Sequence, residues 1–210
     1  APIGFEALGN GDDVTKARDA AGTGRFEGYD YLIVLELADM SLNHAIVHGG
    51  IAGRDFHEVR GIADDIVKAL SHLHEERRIH ADVKPLNIVR VGLSWQLIDL
   101  DVSCAIGCEF GAKRPSSGYC PPEMARVIVD ATDAKGTLDA TKLQLYVADV
   151  AYDLWSLGVV LFHLVTGAAL WNNNQNDDIS SASDLRQLAK TWSENKARLR
   201  LDEVVPSPSR

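Results

Sequence analysis

The chain has 210 residues, 46% of them hydrophobic, and a formal net charge of −9. That hydrophobic share fits a globular protein with a sizeable core and excludes a disordered chain. The acidic balance argues against a nucleic-acid-binding surface.

Residues 1–30 are turn-rich at Gly9–Asp13 and Gly22–Gly24 and lack apolar periodicity, which suggests an insertion between strands. Gly22-Thr-Gly-Arg-Phe-Glu-Gly28 has the wrong spacing for a GxGxxG phosphate loop. Tyr29–Leu37 is predicted as a strand from its β-branched and aromatic content. Ser41 is placed to cap a short helix near Leu42–Val47, which Gly49 and Gly50 end. A long helix follows, with Phe56, Val59, Ala63, Ile66, Val67, Leu70, Leu73 and His74 on one face. Its other face carries Glu58, Arg60, Asp64, Lys68 and Glu75.

Asn87–Val91 and Trp95–Leu100 are predicted as two short strands joined across Gly92–Ser94. Residues 102–120 are loop-like, and a helix is expected to start just beyond Pro121-Pro122-Glu123. Val127–Val129 and Leu143–Val147 are predicted as strands of a hairpin around Ala134–Gly136. Asp153–Val165 is apolar nearly all round, the pattern of a buried central helix, with Gly167 at its C′ position. Asn172–Asn176 is a polar loop. Ser183 is expected to cap a last helix bearing Leu185, Leu188, Ala189 and Trp192. The tail Pro206–Arg210 is expected to fray. No internal repeat is visible.

Cys104, Cys108 and Cys120 lack a CxxC pair or a His at zinc-ligand spacing and suggest free thiols of a reducing compartment. The opening residues Ala1–Glu6 show no signal peptide. The longest apolar run, Leu157–Val165, falls far short of the ~20 residues of a membrane span. A cytoplasmic or nuclear protein is expected.

The chemistry concentrates in Arg78-Ile-His-Ala-Asp-Val-Lys-Pro-Leu-Asn-Ile-Val89. Leu97-Ile-Asp-Leu-Asp101 follows it. An Asp, a Lys, an Asn and a second Asp at the ends of short strands are the parts needed to hold Mg²⁺, steady a phosphate and accept a hydroxyl proton.

From about Tyr31 to Trp192 the chain resembles a eukaryotic-type protein kinase, chiefly its C-terminal lobe. Leu35-Glu36-Leu37-Ala38 resembles the hinge, and His80-Ala-Asp-Val-Lys-Pro-Leu-Asn87 resembles HRDxKxxN. Asp99-Leu-Asp101 sits where DFG belongs. Pro121-Pro-Glu123 and Asp153-Leu-Trp-Ser-Leu-Gly158 resemble APE and the DxWSxG helix. The fold implied is α+β: a mostly helical kinase-like C-lobe with short strands from the end of the N-lobe and a catalytic-loop hairpin. Residues 1–38 would be a remnant of the N-lobe, and 39–210 a C-lobe cut before its last helices.

The resemblance implies a protein serine/threonine kinase using ATP and Mg²⁺ on a protein substrate. Asp82 would be the catalytic base and Lys84 would neutralise charge on the transferring phosphoryl group. Lys84 at this offset resembles the serine/threonine type. Asn87 and Asp99 would hold Mg²⁺. Glu36, Ala38 and Val89, with Lys84, Asn87 and Asp99, would face ATP. Ser116 would hydrogen-bond Asp82 and Lys84, Glu123 would belong to the substrate-shaping APE element, and Asp153 would hold the catalytic-loop backbone.

The departures matter. Ala81 replaces the Arg of HRD, and residues 105–115 contain no Ser, Thr or Tyr. The phosphate clamp and its target are thus missing together, and activity is expected not to depend on phosphorylation there. Asp101 replaces the Gly of DFG, which restricts the backbone and offers a further metal ligand. The segment Glu123 to Asp153 is longer than the family usually has, and the extra piece around residues 127–148 suggests a docking hairpin. Lys16, the only lysine before Lys68, does not lie in a VAIK-like strand. The 210 residues alone are therefore expected to bind ATP weakly and turn over negligibly, as part of a longer gene product or as a degenerate remnant. Two rivals remain: a non-catalytic pseudokinase module, and a small-molecule phosphotransferase of the aminoglycoside type, which also uses HxDxxxxN followed by an Ile-Asp acid.

Overall fold

The computed structural model describes residues 36–111, 113–133 and 135–204. The chain divides into two units, 1–37 and 38–210, and all the regular structure described lies in the second. The expectations for residues 1–35 and for the tail 205–210 fall outside the described residues. Glu36 and Leu37 carry no regular structure.

Strand β1 (Met40–Ser41) leads into helix α1 (Leu42–Gly49). The Ser41 side chain accepts from the His44 N–H at 3.2 Å, and Gly50 closes the helix at φ 65°. Helix α2 (Phe56–Glu75) is capped by Asp55, which accepts from the Glu58 N–H at 3.0 Å. Its buried stripe is Val59, Ile62, Ile66 and Leu70. The predicted stripe was rotated: Phe56 and Val67 are exposed, and Ile62 takes the inward position. Steps of three and four starting at Val59 reach Ile62 and Ile66; Phe56 and Val67 belong to the neighbouring edge.

Strand β2 (Arg78–Ile79) pairs antiparallel with β5 (Cys104–Ala105), a pairing that the loop-like composition of 102–120 concealed. Between them, β3 (Ile88–Val91) and β4 (Ser94–Leu97) form the expected hairpin, and β1 adds to its edge in the order β1-β3-β4. Helix α2 braces this hairpin: Trp95 donates its N–H to Asp65 at 2.9 Å and its indole N–H to Glu58 at 3.2 Å.

Helix α3 (Pro122–Ala131) overturns the predicted strand at Val127–Val129. Pro122 suits the first helical turn, and Met124, Ala125, Ile128 and Ala131 make one buried face, which outweighs the β preference of three branched residues. The second predicted strand is also absent; Ala140–Leu145 is a 3₁₀ run. The turn between them survives, closed by a lone bridge from Thr132 to Leu138 with Gly136 at φ 84°.

Helix α4 (Val150–Thr166) runs through the core, starting on Asp149 and ending on Gly167 at φ 75°. It buries Tyr152, Asp153, Ser156, Leu157, Val159, Val160 and Leu164, while Leu154 and Val165 form an exposed edge that the all-round apolar pattern did not reveal. Helix α5 (Ala182–Thr191) is capped by Ser181, not Ser183, which lies in its first turn. Helix α6 (Glu194–Val204) follows, in a stretch for which no helix was anticipated. Among the described residues no helix is long and apolar enough to cross a membrane.

Candidate active site

The loop after β2 is held from below. Asp153, fully buried on α4, accepts from the N–H of His80 with one oxygen and from the N–H of Ala81 with the other, both at 2.8 Å. His74 of α2 lies 2.8 Å from the same carboxylate. Ala81 takes φ 68°, which is strained for a residue with a Cβ, and the two amide bonds to Asp153 hold it there. A buried carboxylate is costly unless its lone pairs are used, and here donors from two elements use them.

His80 connects this loop to the next acid. Its Nδ1 accepts from the Asp82 N–H at 3.3 Å, so Nε2 carries the proton and donates to the Ile98 carbonyl at 3.0 Å. Ile98 also donates its N–H to the Asn87 carbonyl at 3.0 Å. These two bonds fix the backbone immediately before Asp99, which sits exposed at φ 67°.

Asp82 is buried at the centre of a polar cluster. Its Oδ2 receives the Asn87 side-chain N–H at 2.9 Å and the Lys84 ammonium at 3.0 Å. Its Oδ1 receives the Ser116 N–H at 3.3 Å. Lys84 also donates to the Ser116 hydroxyl at 2.7 Å. Asn87 spends its amide hydrogens on Asp82, on the backbone carbonyl (3.0 Å) as well as the carboxylate. Both partners are acceptors, which sets the amide orientation and leaves its oxygen free of hydrogen bonds among the described residues.

That free Asn87 oxygen and the exposed Asp99 carboxylate are oxygen donors of the kind Mg²⁺ takes, with the remaining positions filled by phosphate and water. Among the described residues no group of three His, Cys, Asp or Glu side chains could hold a metal by itself. The residues therefore fit a cation shared with a nucleotide. Asp101, offered from sequence as a further ligand, is exposed and ion-paired with Lys113.

Val89, on β3, is buried. Ala38 is half-buried beside Asp39, whose N–H donates to the Arg90 carbonyl at 2.8 Å, and Glu36 is exposed. Glu123 is exposed in the first turn of α3 and makes no hydrogen bond or ion pair among the described residues. So Asp82, Lys84, Asn87 and Ser116 form one bonded cluster, with Asp153 beneath it and Asp99 beside it. Glu123 is not drawn into that cluster.

Sequence reasoning missed three contributors. His74 was assigned to the apolar face of α2, yet its ring reaches Asp153. Asp177, in the loop after α4, lies 3.8 Å from the Lys84 ammonium. The stretch 140–148 pairs with the segment after β5. Gly107 donates to the Ala148 carbonyl, Ala148 to Cys108, and Phe110 to Tyr146, at 2.8–2.9 Å. Phe110 is buried against Tyr152 and Tyr146, with ring centroids 5.4 and 5.7 Å away. No local sequence pattern marks any of the three.

The sequence matches the protein kinase domain family over residues 14–207. It is 30% identical over 140 residues to the human serine/threonine-protein kinase Kist, covering 66% of this chain and 32% of that protein. It is 35% identical over 114 residues to the Arabidopsis thaliana serine/threonine-protein kinase TIO, covering 52% of this chain and 7% of that protein. It is 30% identical over 122 residues to the bovine phosphorylase b kinase gamma catalytic chain, liver/testis isoform, covering 56% and 27% respectively. The matches span about a third or less of these curated relatives.

Proposed function

The chain belongs to the protein kinase family, and we propose that it is the C-terminal part of a serine/threonine kinase catalytic domain, moving a phosphoryl group from Mg·ATP to a protein hydroxyl. The observation that carries this reading is the bonded cluster of Asp82, Lys84, Asn87 and Ser116, set on the buried carboxylate of Asp153.

Mg·ATP, when bound, supplies the phosphoryl group and the charge neutralisation of its oxygens. Asn87 and Asp99 would hold the cation, with Val89 on β3 and Ala38 just before β1 facing the nucleotide. Asp82 accepts the proton of the substrate hydroxyl at a carboxylate oxygen and orients that hydroxyl for attack. Lys84 places a positive charge where negative charge gathers on the transferring group. Ser116 holds both through its N–H and its hydroxyl, and His80 and Asp153 keep the loop in shape. Such prepositioned groups supply most of what phosphoryl transfer asks of a protein.

Backbone pairing of residues 107–110 with 146–148 and burial of Phe110 support a segment ordered without a phosphate. Labelled γ-phosphate appearing on Ser or Thr of a protein pool tests the reading; label found only on small metabolites would favour the small-molecule phosphotransferase instead.

A further inference from the structure

Asp177 is an expensive residue where it stands. Its backbone has φ 61°, a conformation that an L side chain pays to adopt. Its Oδ2 is buried and has no hydrogen bond. Burial pushes its carboxyl above the ordinary Asp range, with Lys84 pulling it down and Asp82 and Asp178 pushing it further up. Its neighbour Asp178, by contrast, is well engaged, its Oδ1 accepting from the Ser117 N–H, the Ser117 hydroxyl and Arg114 at 2.8–2.9 Å. The loop is thus anchored by Asp178, and by the Gly118 N–H donating to the Asp177 carbonyl at 2.9 Å. Nothing in that anchoring needs the Asp177 side chain.

The carboxylate faces Lys84 at 3.8 Å, an ion-pair distance too long for a hydrogen bond. The ammonium has three hydrogens; Ser116 and Asp82 engage it at 2.7 and 3.0 Å. Without Asp177, Asp82 would be the only anionic partner left to Lys84 among the described residues.

We propose that Asp177 is a positioning residue for Lys84: its carboxylate shares the ammonium with Asp82, so that the lysine is not closed onto the base and stays available to a phosphoryl oxygen. The inference rests on the kinase reading above. A group kept for this purpose lowers stability and raises activity, the opposite of a scaffold residue.

A double-mutant cycle separates the two roles. Wild type, Asp177→Asn, Lys84→Met and the double variant are compared by thermal unfolding of the full chain at pH 7. Phosphoryl transfer is measured in the full-length gene product, with Asp177→Glu added. In the Lys84→Met background Asp177 has lost its cation, so Asp177→Asn raises Tm there by more than it does in the wild type. In the kinase, Asp177→Asn lowers kcat about ten- to a hundredfold, leaves KM for Mg·ATP unchanged, and is partly rescued by Asp177→Glu. It lowers kcat no further once Lys84 is Met.

Equal Tm shifts in both backgrounds would overturn the proposal. So would a kcat loss that adds to that of Lys84→Met. If no form transfers phosphate, the kinase reading fails on its own, and the Tm cycle still decides whether Asp177 and Lys84 act as a pair.

Discussion

The backbone N–H of His80 donates to the buried carboxylate of Asp153 at 2.8 Å, joining residues 73 apart in sequence. One side chain on the core helix thereby sets the path of the loop that carries Asp82. Asp153→Ala would leave two buried amides and His74 without their acceptor. Breaking a buried charge network of this kind costs about 3–5 kcal/mol. At ~2–4 °C per kcal/mol for a chain of this size, a Tm drop of roughly 6–20 °C is expected by calorimetry. Asp153→Asn, which keeps one acceptor oxygen, should fall between.

Gly118 tests the docking of the 172–178 loop. A Cβ built there would lie 2.5 Å from the Asp177 carbonyl oxygen and 2.6 Å from the Asn173 side-chain nitrogen. Backbone cannot yield as a flexible side chain does, so Gly118→Ala should cost about 1–3 kcal/mol by overpacking. It should also loosen Asp177 from Lys84. Chemical denaturation gives the first quantity, and the kcat of the full-length protein gives the second.

The segment after β5 should be ordered without phosphate. Hydrogen exchange at Gly107, Phe110 and Ala148 is expected to be slow in phosphatase-treated protein, because each N–H is bonded across to its partner strand or loop. Phe110→Ala removes the ring stacked on Tyr152, costs about 3–5 kcal/mol and should speed exchange through residues 105–111. Fast exchange in unphosphorylated wild type would contradict this.

His163 should make the fold acid-sensitive. It is half-buried on α4, its Nδ1 has no hydrogen bond, and burial pushes its pKa below the ordinary value. The unfolded chain therefore takes up the proton first as pH falls. Its contribution to stability is whole above about pH 6.5 and is lost as pH falls from there through the depressed folded value. Replacing His163 with Gln should flatten the loss of Tm between about pH 6.5 and 5 relative to wild type.

Much of this was legible in the chain because the decisive signals are local. Ser41, Gly50 and Gly167 mark helix ends through their own backbone preferences, and Asp82, Lys84 and Asn87 sit on one short loop where spacing alone brings them together. What was missed is tertiary. Val127–Val129 reads as a strand until the burial of Met124, Ala125 and Ile128 turns it into a helix. His74 looks like one more residue of an apolar stripe until α4 sets Asp153 against it. Asp177 sits in an unremarkable polar loop, and only the fold carries it to Lys84.

Asp82-dependent phosphoryl transfer is the measurement to make first. Labelled Mg·ATP and a mixed pool of Ser/Thr peptides would be given to the full-length gene product and to its Asp82→Asn variant. With Asp82 as base, label appears on Ser or Thr and transfer falls about 10²- to 10⁴-fold in the variant, which still unfolds cooperatively. Equal transfer by the two forms, or none by the wild type, would contradict the assignment.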